Sequence, residues 1–152
     1  MLIDIVSKTW KVLPKQVRIF IARRVQPTFT VSVTGIVTNE RGEVLLLDHV
    51  IRPKSGWGPP GGFIGRGEQP EAALRREIKE ETTLDLKDVR LVRARTLNRH
   101  VEIIYTARAV GEAHASSREI RELRWFHPDA MPQDMGLDLQ FAIRNALTPP
   151  EL

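Results

Sequence analysis

Cysteine is absent from this chain and tyrosine occurs once. Without a thiol there is no disulfide, no thiolate metal site and no cysteine nucleophile, and the composition suits a reducing compartment, so a cytoplasmic protein is expected. Apolar runs are too short for the roughly 20 residues that a membrane helix needs. The opening MLIDIVSKTWK lacks the basic-then-apolar order of a secretory signal. No internal repeat or low-complexity tract is present, which sets aside repeat architectures. The four histidines, His49, His100, His114 and His127, share no ligand spacing, so none is assigned to a metal. What remains is 152 residues of which 41% are hydrophobic, enough for one domain with a proper core.

The net charge of +4 hides an asymmetry. Residues 1–27 hold Lys8, Lys11, Lys15, Arg18, Arg23 and Arg24 against Asp4, or +5, so the other 125 residues sum to −1. Apolar Leu2, Ile3, Ile5, Val6, Trp10 and Val12, then Val17, Ile19, Phe20, Ile21 and Val25, predict two short helices or a helix and an irregular arm. We read residues 1–27 as a basic amphipathic extension packed on the domain of residues 28–152 or on a second subunit, as in a homodimer. The alternative is a surface helix touching anionic lipid or nucleic acid, with Trp10 at the interface.

Beyond residue 27, Phe29 to Val37 alternates apolar and small polar residues, Asn39 to Gly42 is a turn signal, and Val44 to Leu47 is a short buried run. In SGWGPPGGFIGRGE the glycines and prolines break any period and predict a loop. Pro70 fits a first helical turn with Gln69 as a mediocre cap. Val89 to Arg95 and Val101 to Ala109 read as a strand pair, Glu119 to Phe126 as a loop entering a last strand, and Asp138 to Leu147 as a final helix.

The most informative stretch is GGFIGRGEQPEAALRREIKEETTL. With Glu77 at zero, Glu80 falls near about −60° and Glu81 near about +40° on a helix, on or beside the face of Ala73, Leu74, Ile78 and Leu84. Glu71, Arg75 and Lys79 form a charge ladder on the far side. Like charges held close repel, and are relieved by protonation, by pairing or by a cation. Arg76 can neutralise at most one or two of them. Three oxygen donors without thiolates or paired imidazoles suit a hard cation such as Mg²⁺ or Mn²⁺. Taken alone, EIKEE is an acidic stretch facing water. The spacing around it changes that reading.

Gly62, five residues, Glu68, seven residues, then Arg76-Glu77-Ile78-Lys79-Glu80-Glu81 and Leu84 resembles the Nudix hydrolase box position by position. Thr83 stands where the family has its last glycine, so the helix exit either differs here or is strained, since a β-branched residue disfavours positive φ. The similarity extends over about residues 28 to 147 and implies an α+β fold, the Nudix α/β/α sandwich with a mixed sheet, carrying a helical N-terminal extension. It implies Mg²⁺- or Mn²⁺-dependent hydrolysis of a diphosphate linked to some moiety X, usually a small-molecule nucleoside diphosphate derivative. Glu77, Glu80 and Glu81 would be metal ligands with the Gly62 carbonyl, and Glu80 or Glu81 could act partly as base. Glu68 and Arg76 would be a supporting ion pair.

The family often takes a further acid from the loop before the last strand. Glu119 is the first choice here and Glu122 the second, although Glu122, Arg124 and Phe126 alternate as an exposed strand face would. Arg52, Lys54 and Arg66 lie in loops flanking the box and could hold a diphosphate; Trp57 could stack on a base or wedge the loop into the core. A non-catalytic binding module, and hydrolases of lipid or RNA diphosphates, are the alternatives. The lack of cysteine argues against the isoprenoid isomerase branch. No proline lies between Pro70 and Pro128, where ADP-ribose pyrophosphatases carry one, and Tyr105 matches only loosely the tyrosine of dinucleoside polyphosphate hydrolases. The resemblance therefore stops at the superfamily. If the extension is a packed helical element, pelleting of the protein with anionic vesicles should leave it in the supernatant; co-sedimentation that salt reverses would establish the surface helix instead.

Overall fold

The computed structural model describes residues 7, 10–51 and 55–148. Contacts divide the chain into two compact units, Met1–Thr30 and Val31–Leu152. In the first, helix α1 (Lys15–Val25) starts behind Pro14 and carries Arg23 and Arg24 in its last turn, where cations suit the helix dipole. Arg24 also lies over the Phe20 ring, 5.3 Å from its centroid. None of the α1 residues is buried. Among the described residues no helix is long and apolar enough to cross a membrane.

The remaining elements are β1 (Thr30–Thr38), β2 (Val44–His49), β3 (Trp57–Gly58), β4 (Gly61–Phe63), α2 (Pro70–Thr82), β5 (Asp85–Leu97), β6 (His100–Val110), β7 (Ile120–Phe126) and α3 (Leu137–Leu147). One seven-stranded sheet has the order β3-β2-β1-β6-β5, with β4 added to β1 and β7 to β2. Ser32 meets His100 and Thr34 meets Glu102, so β1 and β6 advance in the same direction, whereas β5 pairs with β6 antiparallel. The sheet is therefore mixed.

Alternation along each strand splits the core into two layers. Val33, Val37, Leu45, Leu47, Tyr105 and Ala107 face Ala73, Leu74 and Ile78 of α2. Ile36, Val44, Leu46 and Ile104 face Met131, Met135 and Ile143 on the α3 side. A helix on each face of a sheet is the α/β/α sandwich expected. The approach of α2 is close because Gly35 lacks a side chain: a Cβ there would stand 3.0 Å from Leu74 Cδ1. From residue 28 onward the predicted strands and helices are all present and the differences are local, while the first apolar run of the extension, Leu2 to Val12, lies largely outside the described residues. The β5–β6 ribbon is longer than its apolar stretches suggested, and two short strands, β3 and β4, lie inside what reads as a plain loop. Glycine-rich segments carry no periodicity, and β4 exists because β1 offers it a pairing edge at Ser32–Thr34.

Helix α2 ends under strain. Thr83 has φ 63° and ψ −3°, the left-handed region that a β-branched residue disfavours. Its hydroxyl donates to Thr82 O at 2.6 Å and Glu112 O at 3.1 Å. The carbonyls left over at the helix end are all met: Lys79 O by Thr83 N, Glu80 O by Ser116 Oγ, Glu81 O by Ser116 N, and Thr82 O by His114 N. The segment after β6 thus caps the helix that carries the acids. Thr83→Ala keeps the strained Cβ without the hydroxyl bonds and should be less stable than wild type by about 1 kcal/mol. Thr83→Gly exchanges those bonds for relief of strain and should lie within about 1 kcal/mol of wild type. Urea unfolding ranks the three, and an alanine variant as stable as wild type would remove the hydroxyl from the account.

Candidate functional site

The glycine-rich stretch before α2 folds back across the helix. Gly62 lies bare against Glu77: a Cβ there would sit 2.3 to 2.6 Å from the Glu77 carboxyl atoms, so any other residue would displace that carboxylate from its place beside the loop. Gly61 N donates to Glu81 Oε2 at 3.2 Å. The two adjacent glycines therefore contact the i and i+4 acids of one helix stripe.

Arg76 ties this loop down. Its Nε and Nη2 donate to the two oxygens of Glu68 at 2.8 and 3.0 Å, a bidentate pair, and Nη2 also reaches Phe63 O at 3.2 Å. Nη1 turns the other way, to Glu77 Oε1 at 2.9 Å and Glu80 Oε2 at 3.3 Å. Glu68 accepts one more bond, from Gly65 N at 2.8 Å. The Arg76 bonds first, then the Gly65 N–H, pull the Glu68 carboxyl down to about 2, and the same carboxylates push the guanidinium up.

The three box acids are not equivalent. The Glu81 residue is 8% exposed and the Glu77 side chain 17%, whereas the Glu80 side chain is 60% exposed. Glu80 thus departs from the inward sector expected of it. Glu77 and Glu81 sit one turn apart beneath the loop, while Glu80 is about 100° around from Glu81 and clears the loop's edge. Arg76 pairs with Glu77 and Glu80, two of the three acids, within the limit its position set. Among the described residues no three His, Asp or Glu side chains are gathered closely enough to form a ready-made cation cluster. The donors available, two shielded carboxylates with backbone oxygens beside them, have the hard character that Mg²⁺ or Mn²⁺ takes.

The other candidates are dispersed. Glu119 is exposed in the turn before β7; its N–H bonds Ser117 Oγ and its carbonyl accepts from Val50 N. Glu122 pairs with Arg124 Nε at 2.5 Å along the strand, as an exposed face would. Trp57 packs edge-to-face on Phe126 with ring centroids 5.1 Å apart, and the same ring lines a cavity. Arg66 is exposed in the loop. Arg52 and Lys54 lie outside the described residues.

That cavity, about 450 Å³, was not anticipated from the sequence. Thr34, Trp57, Arg95 and Glu102 line one side, and Asp134 and Asp138 at the start of α3 line the other. Thr34 Oγ1 donates to Glu102 Oε1 at 2.8 Å, and Arg95 Nε to Glu102 Oε2 at 2.6 Å. Residues 34 and 102 share no local signal, because only the β1–β6 pairing brings them together. Asp134 just ahead of α3 and Asp138 in its first turn were the one readable hint.

A mixed sheet between two helices, with a glycine loop laid over an acidic helix stripe, defines a class, and comparison with known proteins names it. The NUDIX domain profile matches residues 28–145, and the chain belongs to the Nudix family. It is a Nudix hydrolase by that membership. A MutT-like protein of Streptomyces ambofaciens is 30% identical over 124 residues, covering 80% of this chain and 79% of that one. The NAD-capped RNA hydrolase NudC of Pseudomonas syringae pv. syringae is 30% identical over 118 residues, and the match spans two fifths (40%) of its length. The crystal structure of a MutT NUDIX hydrolase from Burkholderia pseudomallei superposes with a TM-score of 0.67 at 27% identity, over 76% of this chain and 95% of that one.

Because the Glu68 carboxyl is held below the ordinary range near 4.5, the loop-to-helix link is fully present above that range and is lost as pH falls through about 2. A carbon-detected titration should place the Glu68 midpoint near 2. In Arg76→Ala it should return toward the ordinary range; a midpoint unmoved by that substitution would show that Arg76 is not the cause.

Proposed function

We propose that this chain is a pyrophosphohydrolase that cleaves the diphosphate linkage of a nucleoside diphosphate derivative or related nucleotide, with Mg²⁺ or Mn²⁺ as cofactor. The observation that carries it is the pair of loop glycines seated on Glu77 and Glu81, next to a cavity large enough for a nucleoside. Glu77 and Glu81 would hold the cation with the Gly62 carbonyl, joined by Glu80 once its carboxylate leaves Arg76. When bound, the ion would supply charge neutralisation on the diphosphate. The protein's own acids would align a water for in-line attack on phosphorus and accept its proton, and the bridging P–O bond would break to give a nucleoside monophosphate and phospho-X. Glu119, whose exposed carboxylate has no partner among the described residues, is the first choice for the proton, and Glu122, held by Arg124, the second. Glu68 and Arg76 keep the loop on the helix. Trp57 and Arg66, with Arg52 and Lys54, would contact the substrate.

Relatives named as an NAD-capped RNA hydrolase and RNA pyrophosphohydrolases favour a second reading, in which the diphosphate stands at the 5′ end of an RNA. A substrate panel with Mg²⁺ should show phosphate-ester products from at least one diphosphate, lost on chelation. Glu81→Gln should lower kcat on the order of 10²-fold or more. If pure wild-type protein cleaves no diphosphate, the chain is a binding module and the hydrolase reading fails; full activity in Glu81→Gln would refute the ligand assignment alone.

A further inference from the structure

The β5–β6 ribbon carries charge that the hydrolytic site does not use. From Asp85 to Val110 there are six Lys and Arg against three Asp and Glu, in a domain whose other prominent charge is the acidic α2. The pairing register arranges these cations. Arg90 lies opposite Thr106, Arg93 opposite Ile104 and Arg95 opposite Glu102, and since Ile104 belongs to the α3-side layer, all three arginines point to that face. Arg95 is neutralised by Glu102 at 2.6 Å. The side chains of Arg90 and Arg93 are exposed and make no hydrogen bond or ion pair with any described residue. Arg108, on β6, comes no nearer than 4.0 Å to Asp88. With Thr38, Asp88, Thr106 and Arg90 it lines an open hollow of about 420 Å³ on this face, two arginines against one carboxylate.

An aromatic stands at the far end of the same face. Phe63 pairs with Ser32 across β4 and β1, and Ser32 Oγ bonds His100 Nε2 at 2.9 Å. The Phe63 ring meets the His100 ring edge-to-face at 5.9 Å and is still 64% exposed, directly after Gly62. From Arg90 to Arg95 the strand extends roughly 17 Å at about 3.3 Å per residue. That row is long enough for several successive phosphates of a single strand.

We propose that this face binds a single-stranded nucleic acid, its backbone on Arg90, Arg93 and Arg108 and a base near the diphosphate site stacked on Phe63. A groove of cations beside an exposed aromatic is the arrangement by which single strands are held without sequence readout. An acidic peptide would use the arginines and leave Phe63 unexplained. An edge role alone, in which arginines on the outermost strand β5 merely block sheet-to-sheet aggregation, leaves the exposed Phe63 ring without a role. Strand binding does not depend on hydrolysis, so it is measured with the metal chelated.

The experiment uses the full chain, with fluorescence anisotropy of 15-nucleotide RNA and DNA strands of mixed sequence in EDTA between 50 and 200 mM KCl. Wild type should bind RNA, DNA or both. Arg90→Glu/Arg93→Glu should weaken binding about tenfold or more and reduce the slope of log Kd against log salt by about 1 to 2. Phe63→Ala should weaken it about fivefold or more with the slope unchanged. Thermal unfolding confirms that each variant folds, and the arginine pair should leave cleavage of a small nucleoside diphosphate derivative unaltered, which separates this result from the fate of the hydrolase reading. No binding by wild type at 50 mM KCl, or a charge-reversed variant within twofold of wild type in affinity and slope, overturns the proposal.

Discussion

Everything at the site depends on one guanidinium. Arg76 leaves the middle of α2 and holds Glu68 of the incoming loop, the Phe63 carbonyl of β4, and Glu77 and Glu80 of its own helix. Three carboxylates this close would otherwise repel one another and push the loop away from the helix. Arginine stays charged at every pH a protein meets, and its planar fork engages Glu68 with two nitrogens while a third faces Glu77, which a lysine's single point charge could not do. The loop is therefore held where Gly61 and Gly62 touch Glu81 and Glu77.

The opposite end of α2 is fixed by a different device. There the segment after β6 supplies Ser116 and His114 to the last carbonyls, and Thr83 accepts backbone strain while its hydroxyl reaches Glu112. A glycine would enter the left-handed region freely but could make neither of these side-chain bonds. The helix that bears the acids is thus tied at its start to the glycine loop and at its end to the stretch that leads into Glu119 and β7. Two distant parts of the chain are referred to one rigid bar, with the box acids on α2 and the unpaired side chains of Arg90 and Arg93 on the β5–β6 ribbon.

Much of this was legible in the sequence. Pro70 behind Gln69 placed the start of α2, alternation placed β1, and the β5–β6 ribbon was legible in its middle, Val89 to Arg95 and Val101 to Ala109. The link between Glu68 and Arg76 followed from their resemblance to the Nudix box. Less was readable where no period exists. The short strands β3 and β4 sit among glycines and prolines and owe their form to β1 and β2. A helical wheel brings Glu77, Glu80 and Glu81 within about 100° of one another, yet which of them is covered depends on where the loop's edge falls.

A few neighbouring residues settle the helix and strand periods, the turn at Gly42, the acid spacing and the family that spacing marks. Only the tertiary structure decided that Glu80 faces outward, that Thr34, Arg95 and Glu102 share one wall of a cavity with Asp134 and Asp138 across from it, and that Arg90, Arg93 and Arg108 share a face with Phe63. The reason is physical. Local geometry follows from dihedral preference and repeat period within a turn or two, whereas strand register and the closing of a loop over a helix are set by pairings between residues nearly seventy apart, as between Thr34 and Glu102, whose partners leave no mark on each other's neighbourhood in the chain.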